Sequence, residues 1–201
     1  MTPLSWPRAI ALHLLPGAAG FAVFAALAPP LHAAGLPPVW GMFAAVLLVL
    51  APVELYLARS VPWSFRVSWR LLLPTFAAAL LLPGLVQWLE PAVDRPSWWQ
   101  LSPGDDVLTV VGWIVCFVVV GPIAEERYFR GHLLPRLPAR GAPAANAGLF
   151  ALYHLWQPWT WLTVAVFALP LAVAARRPNG LPAAVLSHVL VNLLLLAAAL
   201  I

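Results

Sequence analysis

The sequence predicts an all-α protein, a polytopic bundle of about seven transmembrane helices, on three observations. Hydrophobic residues make up 63% of the 201-residue chain and charged residues only 9%, which leaves too little polar surface to cover a soluble domain of this size. The apolar residues form near-continuous runs approaching the roughly 20 residues that cross a bilayer. Proline and glycine punctuate the joints between those runs.

The first run, 10–28, lacks the short apolar core and small-residue cleavage site of a leader and reads as a retained span. Pro29-Pro30 and the segment Gly35 to Pro38 separate it from the second, 39–58. The third, 69–89, is followed by the longest polar interval, Pro91 to Pro103. Then come 107–133, 142–157 and 160–175, with several runs short for a straight crossing. Pro178-Asn179-Gly180 forms a turn before the last, 181–200, where Pro182 fits a first helical turn that needs no N–H.

Charge distribution speaks to topology. Every basic residue is an arginine. Threading seven spans puts Arg8, Arg59, Arg66, Arg70, Arg127, Arg130, Arg136, Arg140, Arg176 and Arg177 on one side, with Arg95 alone opposite among Glu90, Asp94, Asp105 and Asp106. An excess of arginine in cytoplasmic loops then directs the amino terminus to the cytoplasm. No nucleic-acid motif accompanies the positive balance, so no nucleic-acid partner is expected. Trp98-Trp99-Gln100, and Trp156, Trp159 and Trp161, suit interfacial aromatic belts. The one cysteine, Cys116, has no partner for a disulfide or a thiolate metal site and reads as packing.

Three polar stations interrupt the later runs: Glu125-Glu126-Arg127-Tyr128-Phe129-Arg130-Gly131, Phe150 to His154, and His188 to Asn192. Ionisable groups at membrane depth are costly, and their default explanation is a site. Counted along the helices, Glu125 lies about 12 Å, His154 about 18 Å, His188 about 10 Å and Asn192 about 16 Å from the cytoplasmic ends, so all four fit one layer. Glu126 and Arg130 are four apart on one helix face, whereas Glu125 points about 100° away. An ion pair thus supports Glu126 and leaves Glu125 free to face a cavity. Phe150 and His154 share a face, as do His188 and Asn192.

The chemistry that fits is attack of water on a carbonyl. Glu125 takes the proton, His154 holds or polarises the water, and His188 with Asn192 stabilises the oxyanion. Glu125, His154 and His188 could instead hold zinc or another divalent metal, although no His-Glu-x-x-His spacing supports one. No Gly-x-Ser-x-Gly elbow offers a competing serine nucleophile.

The three stations, in this order, resemble the motifs of the CPBP intramembrane proteases, the family of the prenyl-protein CAAX endopeptidases and the bacterial Abi-type proteins. The likeness covers about residues 107–200. It implies endoproteolysis within or near the membrane, often classed as metal-dependent, with Glu125 activating water and His154, His188 and Asn192 completing the site. Glu126 and Arg130 match the rest of the first motif. On this reading residues 1–106 are scaffold helices and 107–201 the catalytic helical core of one integrated membrane domain. The amino-terminal half, with Glu54 as its charge within an apolar run, is more compact than in longer members. The resemblance further implies a bacterial inner-membrane location and a peptide or lipid-anchored protein substrate, with processing of carboxyl-terminal anchor segments as one candidate role. Nothing in the chain specifies a prenyl group. Two other functions use the same polar groups: a non-enzymatic scaffold or bacteriocin-immunity-like protein with a buried hydrogen-bond network, and a small proton-coupled transporter, for which no inverted repeat is visible.

Overall fold

The computed structural model describes residues 3–62, 64, 66–89, 106–138 and 140–200, the side chains of 87–89 excepted. The acidic interval with Glu90, Asp94, Arg95 and Asp105, and the expected belt at Trp98-Trp99-Gln100, lie outside the described residues. All regular structure among the described residues is helical. Seven helices follow in order: α1 Trp6–Ala33, α2 Val39–Leu57, α3 Trp69–Leu89, α4 Val107–Arg136, α5 Ala142–Tyr153, α6 Trp161–Ala175 and α7 Gly180–Ala199.

Six of these, all but α5, are long and apolar enough to cross a membrane, α6 together with the turn that precedes it. The expected span 142–157 is a 12-residue helix, about 18 Å long at 1.5 Å per residue. It stops at His154 for a local reason. The His154 amide turns to the Ala151 carbonyl, and the imidazole Nδ1 takes the Phe150 carbonyl that a continuing helix would have bonded. A turn at Pro158–Thr160 then starts α6, which packs back along α5.

Proline shapes the long helices. Three stretches have π-helical winding, Val46–Leu50 in α2 and Ile114–Val120 and Glu126–Leu133 in α4. Each is followed two residues later by a proline, Pro52, Pro122 and Pro135. A proline lacks its amide donor and its ring crowds the preceding turn, and a wider turn relieves that crowding.

Two carbonyls that prolines leave without a helical donor are taken by side chains from other helices. In α1, Pro16 frees the Leu12 carbonyl, which accepts from the Tyr128 hydroxyl at 2.7 Å. In α4, the Gly121 amide reaches the Cys116 carbonyl five residues back, so Pro122 brings no N–H to the next carbonyl, Phe117. Asn192 of α7 donates to it at 2.6 Å. A buried unpaired carbonyl is costly, so these side chains fix where the helices dock.

The core joins both halves of the chain. Phe24, Met42, Phe43 and Leu50 bury in the same apolar cluster as Tyr128, Phe129, Phe150, Tyr153 and Trp156. Buried His13 donates to the Ala9 carbonyl at 2.7 Å and accepts from Asn146 at 3.1 Å, and the Asn146 amide also reaches the Phe129 carbonyl at 3.0 Å. That network ties α1, α4 and α5. Arg127 closes the end of α2, donating to the Val61 carbonyl at 2.7 Å and the Ala58 carbonyl at 3.4 Å. Arg127 and Arg130 are both buried, so they do structural work, and the topological reading rests on the other arginines. The outer surface is apolar, with Leu48, Trp69, Leu73, Leu81 and Val107 exposed, as suits a lipid-facing bundle.

Candidate active site

Glu125 and Glu126 sit where α4 changes from α to π winding. Glu126 Oε1 lies 3.2 Å from Arg130 Nη1, and both side chains are fully buried. The Arg130 guanidinium also stacks 4.0 Å over the Phe150 ring. Glu125 keeps 14% of its side chain accessible against none for Glu126. The two neighbouring carboxylates thus differ: Glu126 is held by a cation, and Glu125 keeps part of its side chain accessible.

His154 has one ring orientation available. Its Nδ1 lies 2.9 Å from the Phe150 carbonyl, an oxygen that can only accept, so that nitrogen carries the hydrogen and Nε2 presents a lone pair. Nε2 is 4.0 Å from Glu125 Oε1. The surrounding wall is aromatic: Phe150, Tyr153 and Trp156 rings lie 4.8, 5.0 and 5.1 Å from the imidazole. Trp161 donates to the His154 carbonyl at 3.0 Å. Trp156 is buried in the core and not in an interfacial belt, because the short α5 carries the turn that holds it inside the protein.

His188 enters from α7, which packs on the π-helical stretches of α4. Its Nδ1 is 3.0 Å from Glu126 Oε1, and its Nε2 is 3.9 Å from Glu125 Oε2. The Phe167 ring of α6 lies 4.8 Å from it. Glu126 thus holds His188 as well as Arg130. Asn192, one turn further on, faces Phe117 of α4 through the hydrogen bond described above. Of the site residues expected from sequence, Glu125, His154 and His188 converge directly, Glu126, Arg130 and Phe150 brace them, and Asn192 docks the helix that carries His188.

Sequence reasoning missed Glu54, which it assigned to scaffold. The segment Ala51–Leu57 packs against Gly121–Glu125, and Glu54 is 1% exposed. Its electrostatic neighbours are Glu125, Arg130 and the Tyr153 hydroxyl. The available signal was an acid within an apolar run, the same signal that marked the three stations.

A zinc ion held by Glu125, His154 and His188 requires closer donors. Ligand atoms 2.0–2.2 Å from zinc in a tetrahedron stand about 3.4 Å apart, whereas the two glutamate–histidine separations are 4.0 and 3.9 Å. Among the described residues no three histidine, cysteine or acidic side chains are grouped to hold a metal. At these separations the three side chains stand wider than in a closed tetrahedral site.

Chemically, the site offers a partly open carboxylate, an imidazole lone pair beside it, and a second imidazole braced by a buried acid. No curated protein and no solved structure matches the chain. Residues 107–194, which contain Glu125, His154, His188 and Asn192, match the family model of type II CAAX prenyl endopeptidase Rce1-like.

Proposed function

We propose that the chain hydrolyses a peptide bond at the membrane by attack of a water that Glu125 deprotonates. The observation that carries this reading is the placement of the Glu125 carboxylate between His154 Nε2 and His188 Nε2, at 4.0 and 3.9 Å. A gap of that size suits a bridging water better than a direct hydrogen bond.

Glu125 accepts the proton as the water oxygen bonds to the carbonyl carbon, and His154 Nε2 orients the same water. The carbonyl oxygen takes up the negative charge. Glu126 anchors the His188 imidazole through Nδ1, which aims its Nε2 edge at that oxyanion. The Asn192 amide has a second hydrogen beyond the one on Phe117 for the same charge. Collapse breaks the C–N bond, and the proton held by Glu125 passes to the leaving amine. Glu126 and Arg130 hold the imidazole and the helix face in place throughout.

The substrate class is the carboxyl-terminal segment of a membrane-anchored peptide or lipid-anchored protein, in a membrane whose cytoplasmic side faces the arginine-rich loops. The family match and the lipid-facing surface support this. Mass spectrometry of membrane-protein carboxyl termini from cells carrying the wild type or Glu125→Gln tests it. Uncleaved precursors accumulate with Glu125→Gln at unchanged protein abundance. Normal processing by that variant would end the reading and favour a structural role for the polar groups.

A further inference from the structure

We propose that Glu54 is a positioning residue of the hydrolytic site, acting with the Tyr153 hydroxyl to hold Glu125 where it can take a proton from water. The inference deepens the reading above and rests on it. It makes the amino-terminal half part of the catalytic machinery.

The argument begins from cost. A carboxyl buried at membrane depth in α2 is unfavourable without partners. The Glu54 carboxyl faces the Tyr153 hydroxyl, yet neither Glu54 Oε1 nor Tyr153 Oη completes a well-aligned hydrogen bond with any described residue. Two buried polar atoms left in this state within one region point to a functional arrangement rather than to packing. Glu125 is an electrostatic neighbour of both, and Arg130 is another neighbour of Glu54.

The backbone explains why the pair acts on Glu125. Tyr153 immediately precedes His154, and Glu54 comes from the α2 segment packed against Gly121–Glu125. The pair therefore sits on the two segments that flank the Glu125–His154 gap, one packed against the stretch of α4 that carries Glu125 and the other at the end of α5. Displacing either side chain changes the separation across which water must sit, and a misplacement of about 1 Å can cost 100-fold in rate.

The test uses purified full-length protein in lipid nanodiscs and a quenched fluorescent membrane-tethered peptide, prenylated and unprenylated. Glu54→Ala and Tyr153→Phe each lower kcat by about 10- to 100-fold with KM within twofold. The double variant is no slower than the slower single, as expected of residues acting as a unit. Glu54→Gln, which keeps an acceptor oxygen for the tyrosine, restores most of kcat. Wild-type kcat in folded Glu54→Ala overturns the proposal, as does a loss that tracks thermal unfolding and is not restored by Glu54→Gln. Infrared difference spectra give a second measurement that needs no substrate. The carboxyl band removed by Glu54→Gln shifts in both Tyr153→Phe and Glu125→Gln, and a band that ignores both changes overturns the proposal. Wild-type protein that cleaves neither peptide counts against the peptidase reading, and the infrared result then decides the Glu54 arrangement by itself.

Discussion

The two halves of the chain differ in how openly they show their roles. Residues 107–194 contain all four expected site residues and the whole family match. Residues 1–106 have no motif, yet they supply packing partners to the other half: Leu12 receives Tyr128, His13 receives Asn146, and the segment that carries Glu54 packs against Gly121–Glu125. Chemistry is carried by side chains that stand out in a sequence. Positioning is carried by carbonyls and close backbone contacts that do not.

The largest effect belongs to the carboxyl-terminal half. Glu125→Gln removes the base without changing shape, and kcat falls by about 10²- to 10⁴-fold while the unfolding temperature in detergent holds. A variant that loses stability instead would make Glu125 a structural residue and erase the contrast between the halves.

Next in size is the buried brace. Arg130→Met leaves the fully buried Glu126 without its cation, and removing one member of such a pair costs about 3–5 kcal/mol. Thermal unfolding measures this. The double variant Glu126→Gln with Arg130→Met recovers part of the loss, because no charge is then left unpaired.

A smaller effect tests the amino-terminal half. A Cβ on Gly17 would overlap the carbonyl oxygen and ring of Tyr153, so Gly17→Ala forces α1 away from the end of α5. Overpacking of this kind costs about 1–3 kcal/mol, and kcat falls as His154 moves with its neighbour. Unchanged kcat would show that α1 merely covers the site.

The smallest effect is at the start of α4, outside the span. Asp106 accepts from the Thr109 hydroxyl at 2.7 Å and from the Thr109 and Leu108 amides at 3.0 and 2.9 Å. The Thr109 hydroxyl, with these amides, holds the Asp106 carboxyl below the usual carboxylate range. A depressed native value means the contribution is present above the ordinary carboxylate pKa of about 3.9 and is lost as pH falls below it. Asp106→Ala lowers the unfolding temperature slightly at neutral pH, and the difference from wild type closes on acidification.

Much of the fold and site was legible in advance, and the reasons are local. Lipid requires backbone hydrogen bonds to close within helices, so the apolar runs gave the bundle. Glu126 and Arg130 are one turn apart, so their pairing followed from helix geometry. The fifth run, 142–157, is shorter than its hydropathy implies because the imidazole of His154 ends α5 by taking a carbonyl from its own backbone, which no hydropathy pattern records. Trp156 looked interfacial because indoles favour that level, and only the turn after α5 buries it.

The sequence by itself determined that ionisable groups would stand at membrane depth on separate helices, since composition and one-turn spacing are properties of the chain. Tertiary structure alone decided that Glu125 lies between two imidazoles, that Asn192 meets the carbonyl to which Pro122 brings no N–H, and that the segment carrying Glu54 packs against the one carrying Glu125. Those contacts join residues far apart in the chain, and their distances depend on helix docking set by π-turns and proline-freed carbonyls.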